Sequence, residues 1–296
     1  MESIRITALR HSAFYTPLLL TITGGFLEAE GLIPDYHPAT IGTSVPEALR
    51  AGDFDLAQSA VATSFAGLEA GQPCDVVHFA QINERDGFFI AARKVMPDFH
   101  WSDLVGREVL VDHFFQPLAM LRYGLHRHGV DFDQIKVIDA GDVNAIDQAF
   151  RAGRGAFVHQ QGPAPQQMSK DGVGFPVAAV GDAVGPVAFS SLCATRDWLK
   201  TDKARAFMRA YRKARTMALD APATEIARIE AAMFPHVDPQ VLAATVEAYQ
   251  GLGCWSTNVA IGQDAYSNLL DVFLFSGAIN HRHPMADCVV PPPDAV

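Results

Sequence analysis

The chain has 296 residues, 49% of them hydrophobic and 19% charged, with a formal net charge of -10. That length supports a large core and predicts two domains, while the acidic balance excludes recognition of nucleic acid through its phosphates. Four scattered cysteines (Cys74, Cys193, Cys254 and Cys288) show neither a C-x-x-C pair nor metal spacing, which excludes a disulfide framework as the basis of the fold.

The first strand is predicted over Ile4–Leu9. A helix is predicted from Thr16 to Glu30, where Thr16 can cap, Pro17 fits the first turn and Gly31 stops the run. Gly24 and Gly25 fall inside that helix and read as a site of close packing. Asp35–Ile41 returns as a strand, and Ser44 with Glu47 three residues on reads as a capping box for a helix that ends at Gly52. Asp55–Ser59 is the third strand. The order β-α-β-α-β with short connections implies parallel pairing.

Val76–Gln81 and Gly87–Ala92 are further strands, the second leading out of the first lobe. From Trp101 the pattern restarts, with strands at Glu108–Asp112, Ile135–Ile138, Ala156–His159 and Phe175–Val180, and helices at Pro117–His128 and Val143–Ala152. Phe189–Thr195 reads as a strand carrying the chain back. Four helices follow, at Asp202–Asp220, Thr224–Met233, Pro239–Gln250 and Gly262–Ser276. Lys and Arg between Lys200 and Arg215 alternate with Phe207 and Tyr211 at helical spacing, the pattern of a solvated helix face. The Pro-rich tail, His281–Val296, is expected to lie extended on the surface or to fray.

Two stretches repeat each other about 100 residues apart: Ala48-Leu49-Arg50-Ala51-Gly52 and Ala149-Phe150-Arg151-Ala152-Gly153. Each closes a helix and enters a short apolar strand, so the fold class is α/β with two lobes built on one plan. The expected division is residues 1–88 with 190–296 as lobe one and residues 89–189 as lobe two, each a mixed, mainly parallel sheet flanked by helices and joined by a two-strand hinge.

Ligands of such sheets gather where strands end and helices begin. The turns there supply His11, Ser12, Phe14 and Tyr15 after the first strand, Gly42, Thr43 and Ser44 after the second, and Ser59 and Ala60 after the third. In the second lobe they supply Asp112, His113 and Phe114, then Gly141, then His159, Gln160 and Gln161. The aromatics can stack on a planar ligand, and backbone N–H groups at the helix starts can hold an anion or a carbonyl. Arg10 and Arg85 can serve a single carboxylate or sulfonate.

His11, His113 and His159 occupy equivalent strand ends, yet no H-x-H, H-x-x-x-H or adjacent carboxylate pattern ties them together, so neither metal nor cofactor is expected there. His281 and His283 flank Arg282 in the tail and are likewise read without a metal role. No G-x-S-x-G, phosphate-binding loop or dinucleotide fingerprint is present.

His11-Ser12-Ala13-Phe14-Tyr15-Thr16-Pro17-Leu18, followed by Gly25-Phe26-Leu27-Glu28-Ala29-Glu30-Gly31-Leu32, resembles the opening of type II periplasmic binding proteins. The nearest branch holds the nitrate, sulfonate, taurine and thiamine-precursor binding proteins of ABC transporters, together with the thiamine-pyrimidine synthases. Asp53–Ala57, Ala204–Ala218, Ala248–Gln250 and Gly262–Ile279 are similar to further segments of that family, so the resemblance spans nearly the whole chain. It implies two α/β lobes that close on a small molecule. The synthases carry a cysteine-rich metal motif and a lysine and histidine on the segment matching Asp55–Thr63. None of these is found in this chain.

The expected function is therefore a solute-binding protein that clamps a small polar or aromatic ligand, with an ABC permease as the partner the resemblance implies. The alternative is a cytoplasmic enzyme of the same fold acting on a small carboxylate or heterocycle, with His11, His113 or His159 as general base. No apolar run reaches the ~18 residues of a membrane span, and the protein is expected to be a monomer. With no export signal at its start, the sequence as it stands is expected to be cytoplasmic, or periplasmic if a signal was removed.

Overall fold

A computed structural model describes residues 1–40, 42 and 44–293. The first part of the chain runs β1 (Glu2–Ala8), α1 (Thr16–Thr23), β2 (Leu32–Pro38), α2 (Val45–Ala51), β3 (Leu56–Ser59), α3 (Phe65–Glu69) and β4 (Val76–Asn83). It then enters a second sheet through β5 (Phe88–Ala92), β6 (Glu108–Val111), α4 (Phe115–Arg127), β7 (Lys136–Ile138), α5 (Val143–Arg151), β8 (Phe157–Gln161), α6 (Ala164–Lys170), β9 (Phe175–Ala179) and α7 (Val180–Val184). Strand β10 (Ser190–Thr195) returns to the first sheet. Helices α8 (Asp202–Asp220), α9 (Ala223–Glu230), α10 (Pro239–Leu252) and α11 (Gln263–Phe275) complete the described structure.

The strand orders are β2-β1-β3-β10-β4 and β7-β6-β8-β5-β9. In each sheet the first three strands pair in parallel and the last two pairings are antiparallel. The two lobes follow one plan, and the repeated Arg-Ala-Gly stretches sit at matching places. Gly52 (φ 75°) releases α2 into β3, and Gly153 (φ 93°) releases α5 toward β8, the third strand of each sheet.

Two connections join the lobes side by side. Val187 N donates to Glu84 O at 2.8 Å and Ser190 Oγ to Asn83 Oδ1 at 2.5 Å, so the outgoing and returning segments are bonded to each other. Helix α8 buries Phe207, Tyr211, Ala214 and Ala218, one face of a 3.6-residue repeat. Thr201 caps it by accepting from Ala204 N. The residues flanking Arg215 thus form an amphipathic helix as expected, but Arg215 itself is buried.

Two local expectations are corrected, and a third, left between two outcomes, is narrowed to one. The first helix stops at Thr23 rather than Glu30, because Gly25 takes φ +77° and ends the helical path. Ser44 stands at the N-cap of α2 but its side chain makes no capping bond, so the capping box with Glu47 does not form. The tail does not fray through its described part: His78 N donates to Cys288 O, Val290 N donates to His78 O, and both bonds are 2.9 Å. Burial of Cys288 and Val289 against the β4 edge holds this segment down.

Candidate functional site

The cleft between the sheets has an outer mouth of about 1010 Å³ and an inner pocket of about 50 Å³. Arg10, Phe114 and Gln161 line both. Leu9, Tyr15, Gln58, Ala60, Thr63 and Ser190 form the lobe-one wall of the inner pocket, with Phe189 beside them on the returning connection. Phe88, Phe114, Phe115, Gln116 and Pro117 face them from β5 and the start of α4.

Arg10 ties the jaws together. Its guanidinium donates to Asp112 Oδ2 at 3.2 and 3.3 Å and lies 4.4 Å from the centre of the Phe114 ring. Asp112 also accepts from Phe114 N through Oδ1, which sets the turn that presents the phenyl ring. Ser12 Oγ crosses the gap to donate to Gly162 O at 3.2 Å. Gly162 N in turn donates to the Tyr249 hydroxyl at 2.8 Å. A Cβ on Gly162 would meet Thr245 at 2.7 Å, so the strand end must be glycine to come this close to α10.

Of the residues singled out from the sequence, His11, Ser12, Asp112, His113, Phe114, Gly141, Gln160 and Gln161 line the mouth, and Tyr15 and Ala60 the inner pocket. Thr43 lies outside the described residues. Gly42 and Ser44 follow the edge strand β2 and line neither cavity. Ser59 is turned away and meets Thr63 Oγ1 at 3.3 Å, because strand alternation puts Gln58 and Ala60 on the cleft side. Phe14 is wholly buried and packs on Tyr249 and Phe189 at ring separations of 4.9 and 5.4 Å, so it belongs to the core.

The three strand-end histidines also part company. His11 has both ring nitrogens engaged within lobe one, at 3.0 Å from the Tyr36 hydroxyl and 2.8 Å from Met233 O. His113 holds its own turn through Val111 O at 2.8 Å. His159 lies two residues below Gln161 on the same strand, fully buried and stacked on Phe88 at 4.8 Å, outside both cavities. Burial lowers its imidazole to about 4, so the ring stays neutral. These positions do not assemble a shared base.

Residues that the strand-end rule passes over include Gln58, Phe88, Phe189 and Ser190. Phe88 and Phe189 stand beside the two crossovers, so the hinge signal could have found them.

The charge pattern is distinctive. Asp112, Asp139, Asp142 and Asp147 line the mouth, and its two arginines are already paired, Arg10 with Asp112 and Arg151 with Asp147 and Asp171. Below the pocket, Asp86 is fully buried: Oδ1 accepts from Phe88 N at 2.6 Å and Oδ2 has no partner. Burial raises this carboxyl well above its usual range, with Asp112 pushing the same way. A raised folded value means the folded state binds the extra proton, so this group costs stability increasingly as pH climbs above its unfolded value of about 3.9. Asp86→Asn should leave stability unchanged at pH near 3.5 and raise it progressively toward pH 8, as read by urea unfolding across that range. Parallel curves for the two proteins would mean that Asp86 is ionised in the fold.

With this geometry in hand, comparison with known proteins is decisive for lineage. A family model described as "NMT1/THI5 like" matches residues 13–225. The chain belongs to the NMT1/THI5-like family. YtlA of Bacillus subtilis (strain 168), named as a binding protein, is 27% identical over 288 residues, covering 96% of this chain and 86% of YtlA. Among solved structures, the ligand-binding component of an ABC-type import system from Staphylococcus aureus, determined with zinc bound, has a TM-score of 0.78 at 15% identity, with both chains fully covered. The alkanesulfonate-binding protein SsuA from Xanthomonas axonopodis pv. citri, bound to MOPS, has a TM-score of 0.73 at 17% identity, covering 98% of this chain and 99% of that one. The NMT1/THI5-like chain thus has the two-lobed periplasmic-binding-protein fold. Among its described residues, no helix is long and apolar enough to cross a membrane.

Proposed function

We propose that this protein is a solute-binding protein whose lobes, residues 1–88 with 190–296 and residues 89–189, close on a small planar ligand and hand it to an ABC permease. The observation that carries the reading is the inner pocket, built from aromatic side chains of both lobes and bridged by Arg10. The names of YtlA and of the Staphylococcus protein support a binding role and a transport partner.

The ligand class follows from the lining. Tyr15, Phe88, Phe114, Phe115 and Phe189 offer stacking faces, while Gln116 Oε1 is buried without a partner and calls for an N–H or O–H donor. Four aspartates at the mouth and two already-paired arginines disfavour a bare anion. The fitting occupant is an uncharged or cationic heteroaromatic ring. At about 50 Å³ the pocket is smaller than the ~150 Å³ that accepts a benzene ring, so the jaws must part to admit one.

Thermal shift against small heterocycles, with nitrate and alkanesulfonates as contrasts, tests this. A true ligand at a hundredfold excess over its Kd should add about 2.7 kcal/mol of stability. Phe114 is 46% exposed, so a ligand stacked on it buries about half of the ring, and Phe114→Ala should weaken that ligand by about threefold to tenfold. Stabilisation by the anions alone, or unchanged affinity in the variant, would sink the proposal.

A further inference from the structure

Outside the cleft, the tail brings two histidines to one carboxylate. Glu69 ends α3, and His281 and His283 follow α11 across more than 200 residues of chain. His283 Nε2 lies 2.7 Å from Glu69 Oε1, and His281 Nδ1 lies 3.5 Å from the same oxygen. All three ligand atoms fall within 4.8 Å of one another.

We propose that Glu69, His281 and His283 bind a divalent first-row transition ion, with zinc the expected occupant. The donor set of two imidazoles and one carboxylate is one that zinc accepts. Metal–ligand bonds of about 2.1 Å in a tetrahedron place ligand atoms roughly 3.4 Å apart. The His281 pair is already there, and the His283 pair needs to open by only about 0.7 Å to meet that separation.

The surroundings orient these donors. Asn280 Nδ2 donates to Glu69 Oε2 at 2.7 Å and its backbone N–H donates to Oε1 at 3.2 Å, which fixes the carboxylate with Oε1, the oxygen nearest both imidazoles, toward the ion. His283 is 4% exposed and stacked on Phe65, so its ring is positioned before any metal arrives. The intervening Arg282 turns away to Asp271 and Ser267, which removes its positive charge from the site. His281 is largely exposed and leaves a side open for water as the fourth ligand. The ion would staple the tail to α3, beside the segment that already bridges to β4.

The test uses full-length, tag-free protein stripped with a chelator and titrated with zinc, read by elemental analysis after dialysis and by thermal shift. The expected result is one zinc per chain, a zinc-dependent rise in Tm, and slower deuterium exchange at residues 277–290. His281→Ala, an exposed change compatible with folding, should weaken zinc at least tenfold and abolish the shift. Glu69→Gln should do the same while keeping the contact to Asn280. Failure of the native protein to bind zinc, or unaltered zinc affinity in His281→Ala, overturns the site. Zinc lost in His113→Ala but retained in His281→Ala would place the ion in the cleft and also overturns it.

Discussion

Arg10→Ala is expected to weaken ligand binding by about a hundredfold and to lower the stability of the free protein by about 1.5–3 kcal/mol, the range for a hydrogen bond to a charged group. Asp112 has a side chain only 5% exposed, and Arg10 is its ion-pair partner from the opposite lobe. Without the guanidinium, a nearly buried carboxylate faces the cleft alone, and the Phe114 ring loses the cation beneath it. Asp112→Asn makes the opposite change. It leaves Arg10 unpaired in the cleft, so affinity should move toward carboxylates and sulfonates and away from neutral rings. Calorimetric titration of both variants with one neutral and one anionic ligand reads the exchange. If both variants keep the native preference, the Arg10–Asp112 pair does not set ligand charge.

Arg215→Ala is expected to have the largest effect on stability, about 3–5 kcal/mol and on the order of 10 °C in Tm. Its side chain is 1% exposed and donates to Gln81 O at 2.8 Å, to Ile82 O at 2.9 Å and to Glu84 Oε1 at 3.0 Å. Ser256 O and the Tyr211 hydroxyl complete its shell. One cation thus gathers the end of β4, the start of the hinge and the loop after α10. Truncation strands those acceptors away from water. Chemical denaturation of Arg215→Ala checks the size of the loss, and a change below about 1 kcal/mol would show that water replaces the guanidinium readily.

The alternation of strands and helices was legible because hydrophobic period and glycine stops are local. The echoed helix ends at Gly52 and Gly153 revealed the two-lobed plan, and the return strand at Phe189–Thr195 revealed that the chain crosses twice. The strand-end rule found Tyr15, Ala60, Asp112, Phe114 and Gln161 in the cleft. It failed where neighbours in sequence diverge in space. Phe14 and Tyr15 are adjacent aromatics on one turn, but only Tyr15 lines the inner pocket. Phe14 lies against Gly87, where a Cβ would meet its ring at 2.4 Å, so the hinge backbone fixes that choice. His159 looked equivalent to His113 by strand position, yet sits deeper on its strand beneath Phe88.

From the amino-acid order alone came the fold class, the crossovers and the turns that border the cleft, since each depends on periodicity and on residues that start or stop an element. Which side chain pairs with which was decided only by folding. Arg10 with Asp112, Arg215 with the end of β4, and Glu69 with His281 and His283 join residues 102, 134 and more than 200 positions apart. No local pattern encodes those distances, because they are set by how the sheets and the returning tail pack.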